Sequence, residues 1–234
     1  MAVSKPRLSG RLGLRESDSL PIPPMSGPLS SIPEPMLEAC RAASRLMGGP
    51  SIRCLGVTSA LRGEGRTSVA QAMAVVQRHD FGRRVVLVEM DFENPSLAKA
   101  HNLKPWPGLA ELSRVEAPVT QVLQRLRNGV QVVTLGAIDT SPSRMATEVA
   151  ESKALATLEN EADVVIADLP PMLPSGLGFA AARQFQNLLF VVRAGVTPIA
   201  RVREATADLH VTPHILLNGT QSSLPRWLIR LLGR

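Results

Sequence analysis

The chain has 234 residues, 26 of them lysine or arginine and 20 aspartate or glutamate, for a formal net charge of +6. Its length lies within the range of one compact α/β domain, and with aromatics at 3% the core has to be built from aliphatic side chains. Two cysteines, Cys40 and Cys54, exclude a disulfide framework or a cysteine metal cage. No apolar run approaches the ~18 residues of a membrane-spanning helix, and the N-terminus lacks the apolar core of a secretory signal, so a reducing cytoplasm is the expected setting.

In chain order, residues 1–34 are rich in Pro, Ser and Gly and carry Lys5, Arg7, Arg11 and Arg15. Such a composition cannot bury enough to order itself and reads as a disordered basic tail. Residues 35–47 look helical, with Gly48-Gly49-Pro50 as the stop. Strands are expected near 52–58, 84–90, 130–135, 163–167, 187–193 and 213–218. Helices are expected near 67–80, 119–127, 143–161, 175–185 and 198–209. Strand–helix alternation of this kind implies right-handed crossovers and an α/β fold, a mainly parallel sheet with helices on both faces. The expected division is a tail at 1–34, a nucleotide-binding domain at 35–220 and a basic amphipathic segment at 221–234.

The stretch from Cys54 to Ser68 carries the chemistry. An apolar run leads into Leu61-Arg62-Gly63-Glu64-Gly65-Arg66-Thr67-Ser68, a glycine turn that opens a helical pattern. Gly63 and Gly65 let the backbone curl so that several N–H groups face one point, and the following helix adds the positive end of its dipole. Thr67 supplies a hydroxyl for Mg²⁺ and Arg66 a cation for the β/γ charge. The pattern departs from a strict G-x-x-x-x-G-K-[ST] at Ala60 and at Arg66. Arginine keeps the charge of lysine but is a planar fork, so it need not take the lysine's place. The plain alternative is a glycine turn between a strand and a helix.

Two more apolar runs end in acids, 85–91 in Glu89 and Asp91 and 163–168 in Asp168. In parallel sheets ligands sit beyond the carboxyl ends of the strands. All three carboxylates belong there, beside the loop, where they can hold Mg²⁺ directly or through water. Each acid by itself is more often a solvated strand end; with the glycine loop, a magnesium–nucleotide site is the better reading.

Together these residues resemble the bacterial tyrosine kinases of capsule and exopolysaccharide synthesis, relatives of the chromosome-partitioning and division-site ATPases. The likeness rests on Thr58-Ser59, the loop 63–68, Val-Leu-Val-Glu-Met-Asp at 86–91 and Asn94-Pro95-Ser96-Leu97. It continues in Pro107-Gly108-Leu109, Asp168-Leu169-Pro170-Pro171, the run 191–197 and Leu217-Asn218-Gly219, and spans about 35–220. The resemblance implies a P-loop NTPase-like three-layer architecture with ATP or ADP and Mg²⁺ as ligands. Arg62, Gly63, Glu64, Gly65, Arg66, Thr67 and Ser68 would hold phosphates, and Asn218 the base. Thr67, Asp91 and Asp168 would hold the metal, and Arg66, Glu89 and Asp91 would carry the phosphoryl chemistry, Glu89 as base or water-orienting acid. It further implies a membrane-embedded polysaccharide chain-length regulator as partner, at the inner face of the cell membrane.

The departures bear on activity. The loop lysine is Arg66, the first aspartate of the Asp-x-Asp motif is Glu89, and the usual basic pair after it is Glu93-Asn94. Within these 234 residues there is no tyrosine, so no tyrosine in the chain can be autophosphorylated. A slow or non-catalytic relative, a nucleotide-held scaffold of a secretion complex, is therefore one alternative. A membrane-associated positioning ATPase is another, although such ATPases put a lysine where Leu61 stands. Arg41 and Arg45 replace the family's Glu-x-x-Arg-x-x-Arg spacing with i, i+4, so that they share a helix face. That face suits either a shifted contact in a homo-oligomer or plain solvation.

Residues 224–234 form an amphipathic pattern, Arg226 and Arg230 on one side and Leu228, Leu231 and Leu232 on the other. This suits a membrane surface or a partner groove, or a last helix packed on the sheet. Nothing resembles a base-reading module, so no nucleic acid is expected. The four histidines make no cluster, and no Ser–His–acid pattern suggests hydrolysis.

Overall fold

The computed structural model describes residues 32–219. Tail residues 1–31 and the segment 220–234, including the amphipathic pattern at 224–234, lie outside the described residues. The strands are β1 (Cys54–Ser59), β2 (Val85–Glu89), β3 (Gln124–Arg125), β4 (Gln131–Val133), β5 (Val164–Asp168), β6 (Leu188–Arg193) and β7 (His214–Asn218). They form one seven-stranded sheet in the order β3-β4-β2-β5-β1-β6-β7. Every pairing is parallel except β3 with β4.

Side-chain alternation along the strands builds the layers. Val85, Leu87, Val164, Ile166, Leu189 and Val191 pack with α1 (Glu34–Leu46) and α2 (Arg66–His79) on one face. Val86, Val88, Val165, Ala167, Leu188 and Phe190 pack on the other against α4 (Leu109–Ser113), α6 (Pro142–Glu151), α7 (Ala154–Glu161) and α9 (Leu177–Ala182). Such strands are apolar on both sides because both faces are covered. Among the described residues no helix is long and apolar enough to cross a membrane.

Three expected helices are broken up. The helix at 119–127 is only α5 (Val119–Val122), because Leu123 turns extended and Gln124 enters an antiparallel edge strand. The Gln124 side-chain amide pairs both ways with the Lys104 backbone, at 2.9 and 2.7 Å, and so anchors that strand. The span 143–161 divides into α6 and α7 at Ser152, whose backbone is extended and whose hydroxyl accepts the Ala154 N–H at 3.1 Å. The span 175–185 is shortened to α9 (Leu177–Ala182), because Gly176, left-handed at φ 70°, separates it from a preceding turn of helix, α8 (Met172–Ser175). The short α3 (Leu97–His101) is additional, and α10 (Ile199–Ala207) falls where a helix is expected.

Candidate functional site

The glycine loop connects β1 to α2 at the carboxyl end of the sheet. Gly63 and Gly65 sit at φ 78° and 92°, a region that side chains other than glycine's rarely adopt. No side chain caps α2 and no acid lies in its first turn. The first-turn amides are thus left for an outside acceptor, with the positive end of the dipole behind them.

Glu64 holds the loop from inside. Its carboxylate is buried and accepts the Leu61 N–H at 2.6 Å and the Thr197 hydroxyl, tying the loop to the turn after β6. The Glu64 carbonyl accepts from Asn218 Nδ2 at 2.8 Å. A Cβ at position 65 would overlap that same nitrogen. Asn218, expected at a base, thus commits one of its two amide N–H groups to the loop backbone and keeps the second N–H and its carbonyl oxygen for another partner. Glu64, expected at phosphate, faces away from the concave side. Ser68 is exposed.

The strand register brings the acids together. Glu89 and Asp168 are directly paired between β2 and β5, and Asp91 lies two residues beyond Glu89. All three are buried. Thr67 Oγ1 donates to Asp168 Oδ2 at 2.6 Å, while Asp168 Oδ1 is buried without a partner. Burial pushes the Asp168 carboxyl up to about 7, against the Thr67 hydrogen bond and the Arg66 charge, with Asp91 and Glu89 adding to the rise. The Glu89 carboxyl is also raised, first by burial, although Leu97, Ser96 and Leu135 N–H groups oppose the shift. Glu89 Oε1 accepts the Ser96 and Leu97 N–H groups at the start of α3, and Oε2 is buried and unpartnered. Expected as a base, Glu89 therefore also anchors the chain that follows β2.

Arg66 turns inward. The residue is 8% exposed, and its guanidinium donates to the Leu169 carbonyl and, at 2.9 Å, to Asp91 Oδ2. Asp91 Oδ1 in turn accepts the Asn94 N–H at 3.1 Å. Arg62 leaves the concave side as well: it pairs with Glu93 at 2.6 Å, and Glu93 accepts the Ser175 hydroxyl at 3.0 Å. The residue that reverses the local charge in sequence is thus the one that receives the loop's second arginine. Arg41 pairs with Glu34 and Asp80 within the chain, whereas Arg45 is exposed.

The geometry therefore offers an amide-lined cradle, the Thr67 hydroxyl and two buried, unpartnered carboxylate oxygens, hard donors of the type Mg²⁺ prefers, although among the described residues no three acids, histidines or cysteines are grouped closely enough to hold a metal by themselves. The ties from Thr197, Glu93 and Ser175 had no motif to announce them. A glutamate between the loop glycines was the one visible hint.

A strand–glycine loop–helix unit with acids at the ends of two neighbouring parallel strands defines a P-loop NTPase-like α/β protein. A scan against protein-family models finds no match. The chain is 29% identical over 196 residues to the succinoglycan biosynthesis transport protein ExoP of Rhizobium meliloti, covering 82% of this chain and 24% of that protein. It is 29% identical over 159 residues to the tyrosine-protein kinase YwqD of Bacillus subtilis, covering 64% and 65%. The chain thus spans about a quarter of the first relative and just under two thirds of the second. The kinase domain of the Escherichia coli tyrosine kinase ETK superposes with a TM-score of 0.73 at 22% identity, over 87% of this chain and 85% of that one. A cobyrinic acid a,c-diamide synthase from Mycobacterium smegmatis, with bound ADP and magnesium, shares the fold at a TM-score of 0.56 and 19% identity, over 78% and 80%. The chain is thus similar in sequence to a succinoglycan biosynthesis transport protein and a bacterial tyrosine-protein kinase, and it shares the fold of a bacterial tyrosine-kinase domain.

Proposed function

We propose that the chain binds ATP or ADP with Mg²⁺ at the 63–68 loop and serves exopolysaccharide or capsule synthesis as a cytoplasmic kinase-like regulator. The observation that carries this reading is the buried Asp168 Oδ1, unpartnered beside Thr67 at the foot of an uncapped helix. A buried carboxylate oxygen without a donor is costly unless a cation arrives. The fold-level likeness to a protein with bound ADP and magnesium supports the same choice of ligands.

In this reading the Gly63–Ser68 amides receive the phosphates, and Thr67 and Asp168 hold the metal. Bound Mg²⁺ supplies charge neutralisation for the phosphates. Asp91 joins the set only when Arg66 leaves it, and Arg66 then turns its guanidinium toward the phosphates. Asn218 offers its carbonyl oxygen toward a base, and Glu89 keeps one oxygen for a proton or water. The likeness to ExoP, a succinoglycan biosynthesis transport protein, supports a role in polysaccharide production; the partner in this reading is a membrane-embedded chain-length regulator at the inner face of the membrane.

The test is Mg²⁺-dependent ATP binding and turnover by the purified chain, beside Arg66→Ala and Arg66→Lys. Binding with turnover that Arg66→Ala abolishes marks a working site in which arginine serves as the loop cation. Binding without turnover in all three marks a nucleotide-held regulator. Absence of binding in the presence and absence of Mg²⁺ overturns the reading.

A further inference from the structure

We propose that the cavity at the opposite end of the sheet from the glycine loop is a second anion site, one that takes a compact soluble phosphate-type polyanion such as pyrophosphate. The cavity, of about 280 Å³, lies between the end of α2 and the starts of β2 and β4. Arg78, Arg84, Arg125, Gly129, Gln131 and Glu161 line it.

Strand register assembles the cluster. Arg125 on β3 lies directly across from Gln131 on β4, and Gln131 is in turn paired with Val86 on β2, two residues from Arg84. Arg78 stands in the last turn of α2, ~18 Å along the helix from Arg66 at 1.5 Å per residue. The two sites are therefore separate, and this inference is independent of what the glycine loop binds.

The three guanidiniums differ in what they already do. Arg84 is held by Asp163, with Nη2 2.9 Å from Oδ1. Arg78 makes one long bond, from Nη1 to the Arg83 carbonyl at 3.3 Å, and its buried Nε has no partner. Arg125 is exposed and makes no ion pair among the described residues. Against these stands one carboxylate at the lining, Glu161. Gly129, at φ 83°, keeps the turn clear of Arg78, since a Cβ there would come within 2.9 Å of Nε.

Planar guanidiniums around a recess match a tetrahedral oxyanion, which accepts several charge-assisted hydrogen bonds at once. The acids set the scale of the ligand. Glu161 in the lining and Asp163 on Arg84 oppose a broad anionic surface such as a membrane, but a small polyanion can sit between the arginines. Arg78 and Arg125 are the unmatched charges that would receive it.

The experiment is a pyrophosphate titration of the full chain in Mg²⁺-free buffer, followed through backbone amide NMR shifts. Gly129 and Gln131 report the cavity, and Gly63 and Gly65 report the loop. The comparison is Arg125→Glu, an exposed position whose change leaves the core intact. The expected result is a saturating shift at Gly129 and Gln131 whose affinity falls about tenfold or more in Arg125→Glu, while any shift at Gly63 and Gly65 is retained. The proposal is overturned if the Gly129 and Gln131 amides stay still or shift without saturating. It is equally overturned if they shift alike in wild type and Arg125→Glu.

Discussion

Arg66 and Asp91 form a buried ion pair beneath the glycine loop, with Nη2 2.9 Å from Oδ2 and both side chains less than a tenth exposed. Breaking such a pair from one side leaves an uncompensated charge where water cannot reach it. Asp91→Asn is therefore expected to lower the unfolding free energy by about 3 kcal/mol. The double variant Arg66→Met/Asp91→Leu should recover most of that loss, because an apolar pair leaves no charge stranded. Urea unfolding of the three variants checks both statements. An Asp91→Asn variant as stable as the parent would mean that Arg66 reaches solvent easily.

The pairing also shows what was legible in the sequence. The loop, the six parallel strands and the acids at their ends could be read, because β-branched runs and glycine spacing reflect local constraints. The direction of Arg66 could not, since lysine and arginine patterns look alike until Leu169 and Asp91 are placed beside them. Strand β3 was hidden for a similar reason. Its pairing depends on a side-chain amide that reaches 20 residues back to Lys104, and no helical or alternating period encodes that. The breaks at Ser152 and Gly176 were visible as residues, but apolar periodicity ran through them.

A pH dependence follows from Asp168. Burial raises its carboxyl from 3.8 to about 7 in the folded chain. Between those values the folded state holds a proton that the unfolded state has released, so unfolding stability falls as pH rises through the window. The contribution is complete below the unfolded value and lost above about 7, with a ceiling of about 4 kcal/mol. Glu89, raised for the same reason, acts in the same direction. Asp168→Asn, which still accepts from Thr67, should flatten the profile between mildly acidic and neutral pH. Thermal melts across that range, parent against variant, supply the check; parallel profiles would mean that Asp168 ionises at its ordinary value.

Gly65 and Asn218 make a second, steric prediction. Gly65 is left-handed at φ 92°, and a methyl group there would collide with Asn218 Nδ2. Gly65→Ala is expected to cost about 1–3 kcal/mol through backbone strain alone, and to displace Asn218 from the Glu64 carbonyl. Asn218→Ala should cost about 1 kcal/mol for the lost hydrogen bond. Adding Asn218→Ala to Gly65→Ala removes the collision but keeps the strain, so the double variant should be less destabilised than the sum of the two. Strict additivity in chemical denaturation would show that the two residues are not in contact.

Glu93 ties the loop to the far side of the site, since it binds Arg62 at 2.6 Å and Ser175 at 3.0 Å. The Arg62 side chain is 43% exposed and that of Glu93 25%, so the pair contributes at most about 1 kcal/mol. That is too little to decide the fold but enough to bias the position of a loop. Glu93→Lys replaces attraction by repulsion and frees Arg62, whereas Glu93→Gln only weakens the tie. If the loop binds nucleotide as proposed, association of a fluorescent ATP analogue should be faster in Glu93→Lys, by a factor of about five at most, which is the kinetic equivalent of that energy. Added salt should narrow the gap, because the pair is accessible to counterions. Stopped-flow traces at low and high salt decide the matter: equal association rates in parent and variant at low salt would show that Glu93 does not restrain the loop.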